Sequence, residues 1–195
     1  MNLKNCSDQE LIERFIGGER KCMEILIYRH KDNLYSYIYF KVNKSYIADD
    51  IFQDTIFKVI TFLKNGTYSD KGKFLGWLIR IAHNIIIDYY RDEKKLSIYS
   101  NVDKDADIFN NKSFSDPTIE DKIIEEQIME DVKSMITYLP EEQQEVVILR
   151  HYGNLTFKEI SELTGVSINT SLGRMRYAIH NMKKMVEQRN IILTN

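Results

Sequence analysis

Short polar and guanidinium side chains cluster near the end of the chain, and their chemistry is that of nucleic-acid recognition. The set comprises Ser167, Asn169, Thr170, Arg174 and Arg176. Such groups near the start of a helix can reach base edges and phosphates when the helix lies in the major groove. From Gly165 to Asn195, five Lys or Arg residues stand against one acid. This concentration favours DNA binding over an ordinary helical hairpin.

Two helices separated by a tight turn are needed to position those side chains. Thr156 to Glu159 read T-F-K-E, a capping box that begins a short helix, and Gly165 supplies the left-handed residue that ends it. Ser167 then caps a longer helix, and its apolar residues at spacings of 4, 3, 4 and 3 are predicted to face the core. These residues are Ile168, Leu172, Met175, Ile179 and Met182. The segment is predicted to be a helix-turn-helix.

A second candidate nucleic-acid face lies on a helix predicted from Phe74 to about Arg91. Its line opposite the apolar side carries Arg80, Asn84 and Arg91, and the loop before it carries Lys71 and Lys73. Arginine and asparagine bind phosphates and base edges with two-pronged geometry. A merely solvated polar face would look similar, but the loop lysines favour nucleic acid. Trp77 is expected to cover the loop side of the core.

Acidic and aromatic residues share the outward side of a helix predicted from Tyr46 to Lys64. They are Asp50, Gln53, Asp54 and Phe57, opposite an inward stripe predicted to be Phe52, Ile56, Val59, Ile60 and Leu63. Acids that complement the helix dipole would account for Asp49 and Asp50, but poorly for Asp54 and not at all for an outward Phe57. We therefore interpret this side as a docking surface for a basic protein partner.

Helical signals fill most of the remaining chain, so the predicted fold class is all-α. Ser7 to Glu10 form another capping box, and a long helix follows from about Arg20 to Val42, with His30 as a satisfied core histidine rather than a metal ligand. Periodicity fails from about Ser97 to Ser115, where acidic and polar residues dominate. We predict two small helical domains, 1–95 and 118–195, joined by an acidic flexible linker, 96–117.

Composition limits the function classes further. The 195 residues carry a net charge of −2 and only two cysteines, Cys6 and Cys22, which are expected to be free thiols in a reducing cytoplasm. No signal peptide or membrane-spanning run is expected. The chain has no recognisable nucleophile–base pair, metal cluster or phosphate loop, so neither an enzyme nor a cofactor is predicted.

Four strings in this order resemble the extracytoplasmic-function (group IV) sigma factors of bacterial RNA polymerase. They are LIERFIGGERKCMEILIYRH, IADDIFQDTIFKVI, KFLGWLIRIAHNIIIDYYR and LPEEQQEVVILRHYGNLTFKEISELTGVSINT. The resemblance implies a non-catalytic initiation factor with a region 2 bundle and a region 4 helix-turn-helix. It also implies core RNA polymerase and promoter DNA as partners, and an anti-sigma factor as a further one.

The resemblance assigns roles to the candidate residues. Asp50, Gln53 and Asp54 match the stretch that docks on the coiled coil of the polymerase clamp. Asn84 matches the position that contacts a flipped minus-10 base, with Arg80 and the Tyr68 to Lys73 loop beside it. Ser167, Asn169, Thr170, Arg174 and Arg176 match the N-terminal half of the minus-35 recognition helix.

The recognition helix departs from the family pattern at three positions. After Asn169-Thr170 the family commonly has an apolar residue, then a basic one, and later a second basic one, where this chain has Ser171, Leu172 and Tyr177. We expect the inward stripe to have moved by one position and two phosphate contacts to be lost. Leu172 and Tyr177 therefore receive no DNA role, and weak autonomous minus-35 binding is expected.

Two other interpretations remain open at this point. A stand-alone helix-turn-helix regulator would have a ligand pocket or a dimer that reads paired half-sites, and the Asp50 to Phe57 side would have no role in it. A helical interaction or enzyme domain with an incidental basic tail would not need Arg174 and Arg176.

Overall fold

The computed structural model describes residues 3–68, 73–97, 132 and 134–189. Every regular element in these residues is helical, as the sequence predicts. They form two compact units, an N-terminal one with the helices before residue 98 and a C-terminal one with the helices after residue 134. Residues 98–117 of the predicted linker lie outside the described residues. So does most of a further helix that Asp116-Pro117, a cap followed by proline at the first helical position, predicts. None of the described helices is long and apolar enough to cross a membrane.

The N-terminal unit contains a short 3-10 turn, Leu3–Asn5, and four α-helices. They are α1 (Asp8–Ile16), α2 (Lys21–Val42), α3 (Ser45–Lys64) and α4 (Phe74–Ser97). The Ser7 capping box that begins α1 is present, and Gly18 adopts the left-handed φ of 103° that turns the chain toward α2. Asn43, with φ of 51°, ends α2 in the same conformation.

The core of this unit lies where α2, α3 and α4 pack against one another, with α1 covering α2. Leu26, Leu34, Tyr37, Leu63 and Ile79 are among its fully buried side chains. Such burial is worth about 1.5–3 kcal/mol for each large apolar side chain, so the packed interior, rather than helix propensity, holds the four helices together.

Three sequence-based details of the N-terminal unit need correction. The helical spacing after the Ser7 capping box predicts that Ile16 shares one apolar face with Leu11, Ile12 and Phe15, but Ile16 is 52% exposed. The inward side of α3 is made by Ile47, Ile51, Thr55 and Val59, while Phe52, Ile56 and Ile60 are only half-buried. Thr55 was not predicted there because it is polar. It can be buried because its hydroxyl donates to the Ile51 carbonyl oxygen at 2.7 Å. Helix α4 also continues past Arg91 to Ser97.

The C-terminal unit contains three described helices in addition to helical residues 134–137. They are α5 (Glu141–His151), α6 (Phe157–Thr164) and α7 (Ile168–Arg189). Pro140 directly precedes α5, as expected of a residue that cannot continue a helix and so predicts a break at Leu139-Pro140. Helix α7 packs against both α5 and α6. Val146, Ile148, Leu149 and Ile160 are buried in the interior of this unit.

The predicted inward stripe of α7 is wrong in its register. Ile168, Leu172 and Ile179 are 44%, 42% and 48% exposed, whereas Ser171 and Ala178 are 1% and 0% exposed. Ser171, Met175, Ala178 and Met182 follow the same 4, 3, 4 spacing as the predicted stripe. The Ser171 hydroxyl donates to the Ser167 carbonyl oxygen at 3.4 Å, which gives this buried polar group a partner inside the helix. Position 171, where the family commonly has an apolar residue, is therefore buried in this chain too, and the expected shift of the stripe by one position is wrong. Ser171 is a small residue at that buried position.

Candidate nucleic-acid interface

The side of α3 that carries Asp50, Gln53, Asp54 and Phe57 is solvent-facing, and we call it the acidic surface. All four residues are exposed, and Phe57 is 71% exposed. Tyr46, 65% exposed, stands four residues before Asp50 and therefore lies on the same line of the helix. Sequence reasoning missed Tyr46, although extending the spacing by one turn would have found it. A ring of this size left in water among carboxylates is typical of a protein contact.

The helix dipole does not explain the acidic surface. Helix α3 begins at Ser45 and its first turn contains no acid, so Asp49 and Asp50 lie further along than the dipole acts. Asp49 has a separate structural partner, since burial and a hydrogen bond to Asp49 raise the pKa of Tyr35 to about 12. Asp49 is not part of the acidic surface. The two carboxylates of that surface, Asp50 and Asp54, are suited to a positively charged partner.

The polar line of α4 forms a second surface, with Arg80, Asn84 and Asp88 at successive four-residue steps. Asn84 is exposed and Arg80 is half-buried, while Lys73 is exposed one residue before the helix begins. Arg91 pairs with Asp88 at 2.8 Å, and both side chains are largely exposed. An exposed pair of this kind contributes about 0–1 kcal/mol, so Arg91 can exchange it for a phosphate at little cost. Lys71 lies outside the described residues.

Aromatic rings pack together at the N-terminal end of α4, next to the polar line. The Trp77 ring lies 4.7 Å from Tyr68, 5.9 Å from Phe74 and 6.2 Å from Phe62, measured between ring centroids. The Tyr68–Trp77 contact is edge-to-face, whereas Phe74 and Phe62 are tilted against Trp77, and ring contacts at these distances are favourable. Trp77 thus packs against the loop side of the core, as predicted.

The helix-turn-helix has the local geometry that its sequence predicts. The Thr156 hydroxyl accepts from the Glu159 amide at 3.3 Å, and the Thr156 amide donates to the Glu159 carboxylate at 2.8 Å. Gly165, with φ of 69°, ends α6. Ser167 then caps α7 by accepting from the Thr170 amide at 3.0 Å.

The minus-35 candidates occupy different places on α7. Asn169, Thr170 and Arg176 are exposed, and Arg174 is half-buried. The Ser167 hydroxyl serves as the cap and lies 2.8 Å from the Thr170 hydroxyl, so these two side chains position each other. Asn169 and Arg176, seven residues apart and therefore on the same side of α7, are the exposed members of the set that take no part in the cap.

The described residues offer no metal centre. No group of three or more His, Cys, Asp or Glu side chains in this part of the chain could hold a metal ion. His30 Nε2 lies 2.7 Å from an Asp8 carboxylate oxygen, which is the satisfied arrangement predicted for it. Cys6 and Cys22 are both buried free thiols.

Two family models match the chain, one in each unit. Sigma-70 region 2 matches residues 26–96, and Sigma-70, region 4 matches residues 129–176. RNA polymerase sigma factor SigZ of Bacillus subtilis (strain 168) is 30% identical over 79% of this chain and 81% of SigZ. RNA polymerase sigma factor YlaC of the same organism is 28% identical over 88% of this chain and 98% of YlaC.

Solved structures share the fold. RpoE, crystallised with the anti-sigma factor NepR from Bartonella quintana, has a TM-score of 0.63 at 17% identity, over 84% of this chain and 96% of RpoE. CnrH, in complex with the cytosolic domain of CnrY, has a TM-score of 0.59 at 19% identity, over 94% of this chain and 99% of CnrH. The chain belongs to the sigma-70 family of RNA polymerase sigma factors, in its extracytoplasmic-function group. The resemblance drawn from the sequence is thus confirmed, and the stand-alone regulator is not favoured.

Proposed function

We propose that this sigma factor binds core RNA polymerase through its N-terminal unit and directs initiation at promoters that it reads with α4 and α7. The observation that carries the proposal is the coexistence of the exposed acidic surface on α3 with a helix-turn-helix. A regulator that bound DNA alone would have no use for the acidic surface.

The acidic surface is the proposed docking site for the coiled coil of the polymerase clamp. Asp50 and Asp54 supply negative charge, Gln53 supplies hydrogen bonds, and Phe57 supplies apolar area. Interfaces place a buried aromatic anchor inside a polar rim, and the anchor carries much of the binding energy. Phe57, an apolar ring that is 71% exposed, is the proposed anchor.

The polar line of α4 is the proposed minus-10 surface. Lys71, Lys73 and Arg91 would contact phosphates, and Arg80 and Asn84 would contact bases of the melted strand. Melting a base out of the stack costs a few kcal/mol, which hydrogen bonds to its edge and stacking on rings must offset. The exposed Asn84 amide can donate to and accept from a base edge.

The first turns of α7 are the proposed minus-35 surface, with Ser167, Asn169, Thr170, Arg174 and Arg176 as its polar residues. The free amides at a helix N-terminus favour a phosphate there. Asn169 and Arg176, which are exposed, would contact base edges, and the half-buried Arg174 would contact the DNA backbone.

Further partners follow from the family. The structures of RpoE and CnrH each contain a protein partner, the anti-sigma factor NepR and the cytosolic domain of CnrY respectively. We propose that an anti-sigma factor likewise binds this chain. A factor that acts with polymerase on chromosomal DNA works in the cytoplasm. Its role is positioning and binding, so we propose no catalytic activity and no cofactor.

Run-off transcription tests the proposal. Purified chain and bacterial core polymerase are incubated with fragments of the chain's own genome, and promoter-specific transcripts are expected. Asp54→Lys should abolish them, because it reverses a charge in the centre of the docking surface. Glu24→Lys is the matched control, since Glu24 is an exposed acid on α2 of the same unit, and transcripts should persist.

The results separate this function from the alternative. Tight binding to specific duplex DNA without polymerase, together with an absence of transcripts, would support the stand-alone regulator instead. Equal transcription by Asp54→Lys and the wild type would remove the acidic surface from the proposal.

A further inference from the structure

An apolar ridge runs along the outward side of the first two turns of α7. Ile168 and Leu172, 44% and 42% exposed, are one helical turn apart, and Arg176 follows after one more turn. Asn169 is exposed three residues before Leu172. Ser171, 1% exposed, takes the interior position of these turns, while Ile168 and Leu172 keep a large part of their apolar surface in solvent.

The ridge lies on the part of a helix-turn-helix that enters the major groove. There the N-terminal residues of the second helix contact base edges. A leucine side chain can neither donate a hydrogen bond nor pair with a phosphate. Among the groups that base pairs present in the major groove, the C5-methyl of thymine is the one suited to apolar contact.

We infer that Leu172, with Ile168 beside it, contacts thymine methyl groups in the minus-35 element, which is the upstream promoter element. This contact would determine which DNA sequence α7 prefers. The inference rests on the proposed minus-35 role of α7. Asn169 and Arg176, which flank Leu172 on the same side, would hydrogen-bond to neighbouring base edges or phosphates. The sequence-based expectation that Leu172 faces the core is wrong, and its exposure is what permits this role.

The adjacent surface is compatible with close approach to DNA. Gly173 follows Leu172, and a Cβ added there would meet nothing within 4 Å. The helix is therefore bare beside Leu172, which leaves room for the edge of a base pair. Because residue 172 carries no charge, this position contributes specificity without adding to the salt dependence that cationic contacts produce.

A cycle that combines a protein variant with a DNA substitution tests the inference. A promoter fragment identified by run-off transcription is prepared in two forms, one natural and one with deoxyuridine in place of every thymidine of the upstream element. Deoxyuridine pairs as thymidine does but lacks the methyl group. Holoenzyme binding is measured for the wild type, Leu172→Ala, Leu172→Met and Tyr177→Ala.

The wild type should bind the deoxyuridine fragment about fourfold more weakly for each methyl contacted. Leu172→Ala should show the same loss on natural DNA and no further loss on deoxyuridine DNA. Leu172→Met should restore the preference for thymine. Tyr177 is also exposed, at 64%, but lies on a different side of α7 from Leu172. Tyr177→Ala should therefore keep the wild-type response.

Two results would overturn the inference while leaving the proposed function in place. One is promoter-specific transcription by a wild type that binds both fragments equally. The other is a Leu172→Ala holoenzyme that still prefers thymine as the wild type does, in which case the ridge contacts something other than these methyl groups, such as a protein partner. An absence of specific transcripts from the wild type would instead overturn the proposed function, and this inference with it.

Discussion

The Tyr37 hydroxyl in α2 and His83 Nδ1 in α4 lie 2.7 Å apart in a hydrogen bond between two buried side chains. His83 immediately precedes Asn84, which is exposed. Adjacent residues on a helix point in directions about 100° apart, so anchoring His83 in the interior directs Asn84 outward. The bond thus links the packing of α2 against α4 to the proposed minus-10 surface.

Replacing the Tyr37 hydroxyl should weaken this packing. Tyr37→Phe removes a hydrogen bond between buried groups, and we expect the free energy of unfolding to fall by about 1 kcal/mol. Urea unfolding of the full chain measures it. Tyr28→Phe is the matched control, because Tyr28 lies on the same helix and is 74% exposed. Equal losses for the two variants would show that the Tyr37–His83 bond contributes no stability of its own.

Stability should depend on the ionisation of Asp8, which joins α1 to α2 through Arg29 and His30. Burial raises the pKa of Asp8, but hydrogen bonds and charge interactions with His30 and Arg29 outweigh burial and hold the pKa below 3.8. Because the folded pKa is lowered, this stabilisation is complete above the unfolded value and is lost as pH falls through the folded one.

Asp8→Asn removes the charge with little change in shape. Near neutral pH we expect a loss of about 1–2 kcal/mol in the free energy of unfolding. The difference between variant and wild type should shrink as pH falls below about 3.8. Asp32→Asn, at an exposed acid on α2, should be nearly neutral throughout. A gap for Asp8→Asn that stays constant from neutral to acidic pH would contradict the electrostatic explanation.

Phe57→Ala tests the proposed anchor of the acidic surface. Burying a phenylalanine ring is worth about 1.5–3 kcal/mol, so affinity for core polymerase should fall by roughly 10- to 100-fold. Chain stability should hardly change, because the ring is 71% exposed. Tyr28→Ala, which removes a similarly exposed ring from α2, should retain wild-type affinity. Fluorescence anisotropy of labelled chain titrated with core polymerase gives both affinities, and an unchanged value for Phe57→Ala would exclude it as the anchor.

Two glycines of the C-terminal unit should respond oppositely to alanine. Gly173 lies inside α7 with open space around its Cα, so Gly173→Ala should stabilise the chain by about 0.5–1 kcal/mol. Gly165 has φ of 69°, a conformation in which a Cβ is strained, so Gly165→Ala should destabilise it. Thermal unfolding compares the two. Destabilisation by Gly173→Ala would mean that the space beside Leu172 is needed even in the free chain.

Local signals in the sequence were sufficient to place most helix boundaries. The capping boxes at Ser7 and Thr156, the break at Pro140 and the left-handed Gly165 all occur where the residues predict them. Each depends on hydrogen bonds or backbone conformations within a few residues, so the surrounding fold has little influence on it. The end of α4 was misplaced because no strong stop signal follows Arg91.

The sequence by itself determined the all-α class, the helix-turn-helix and the acidic surface, because period, caps and charge are properties of neighbouring residues. Only the tertiary structure decided which of two stripes on α7 is buried. Ile168, Leu172 and Ile179 have the greater hydrophobicity, yet the smaller Ser171 and Ala178 are the residues that the fold buries. Close packing selects side chains by the space available to them, and that space is created by residues distant in the chain.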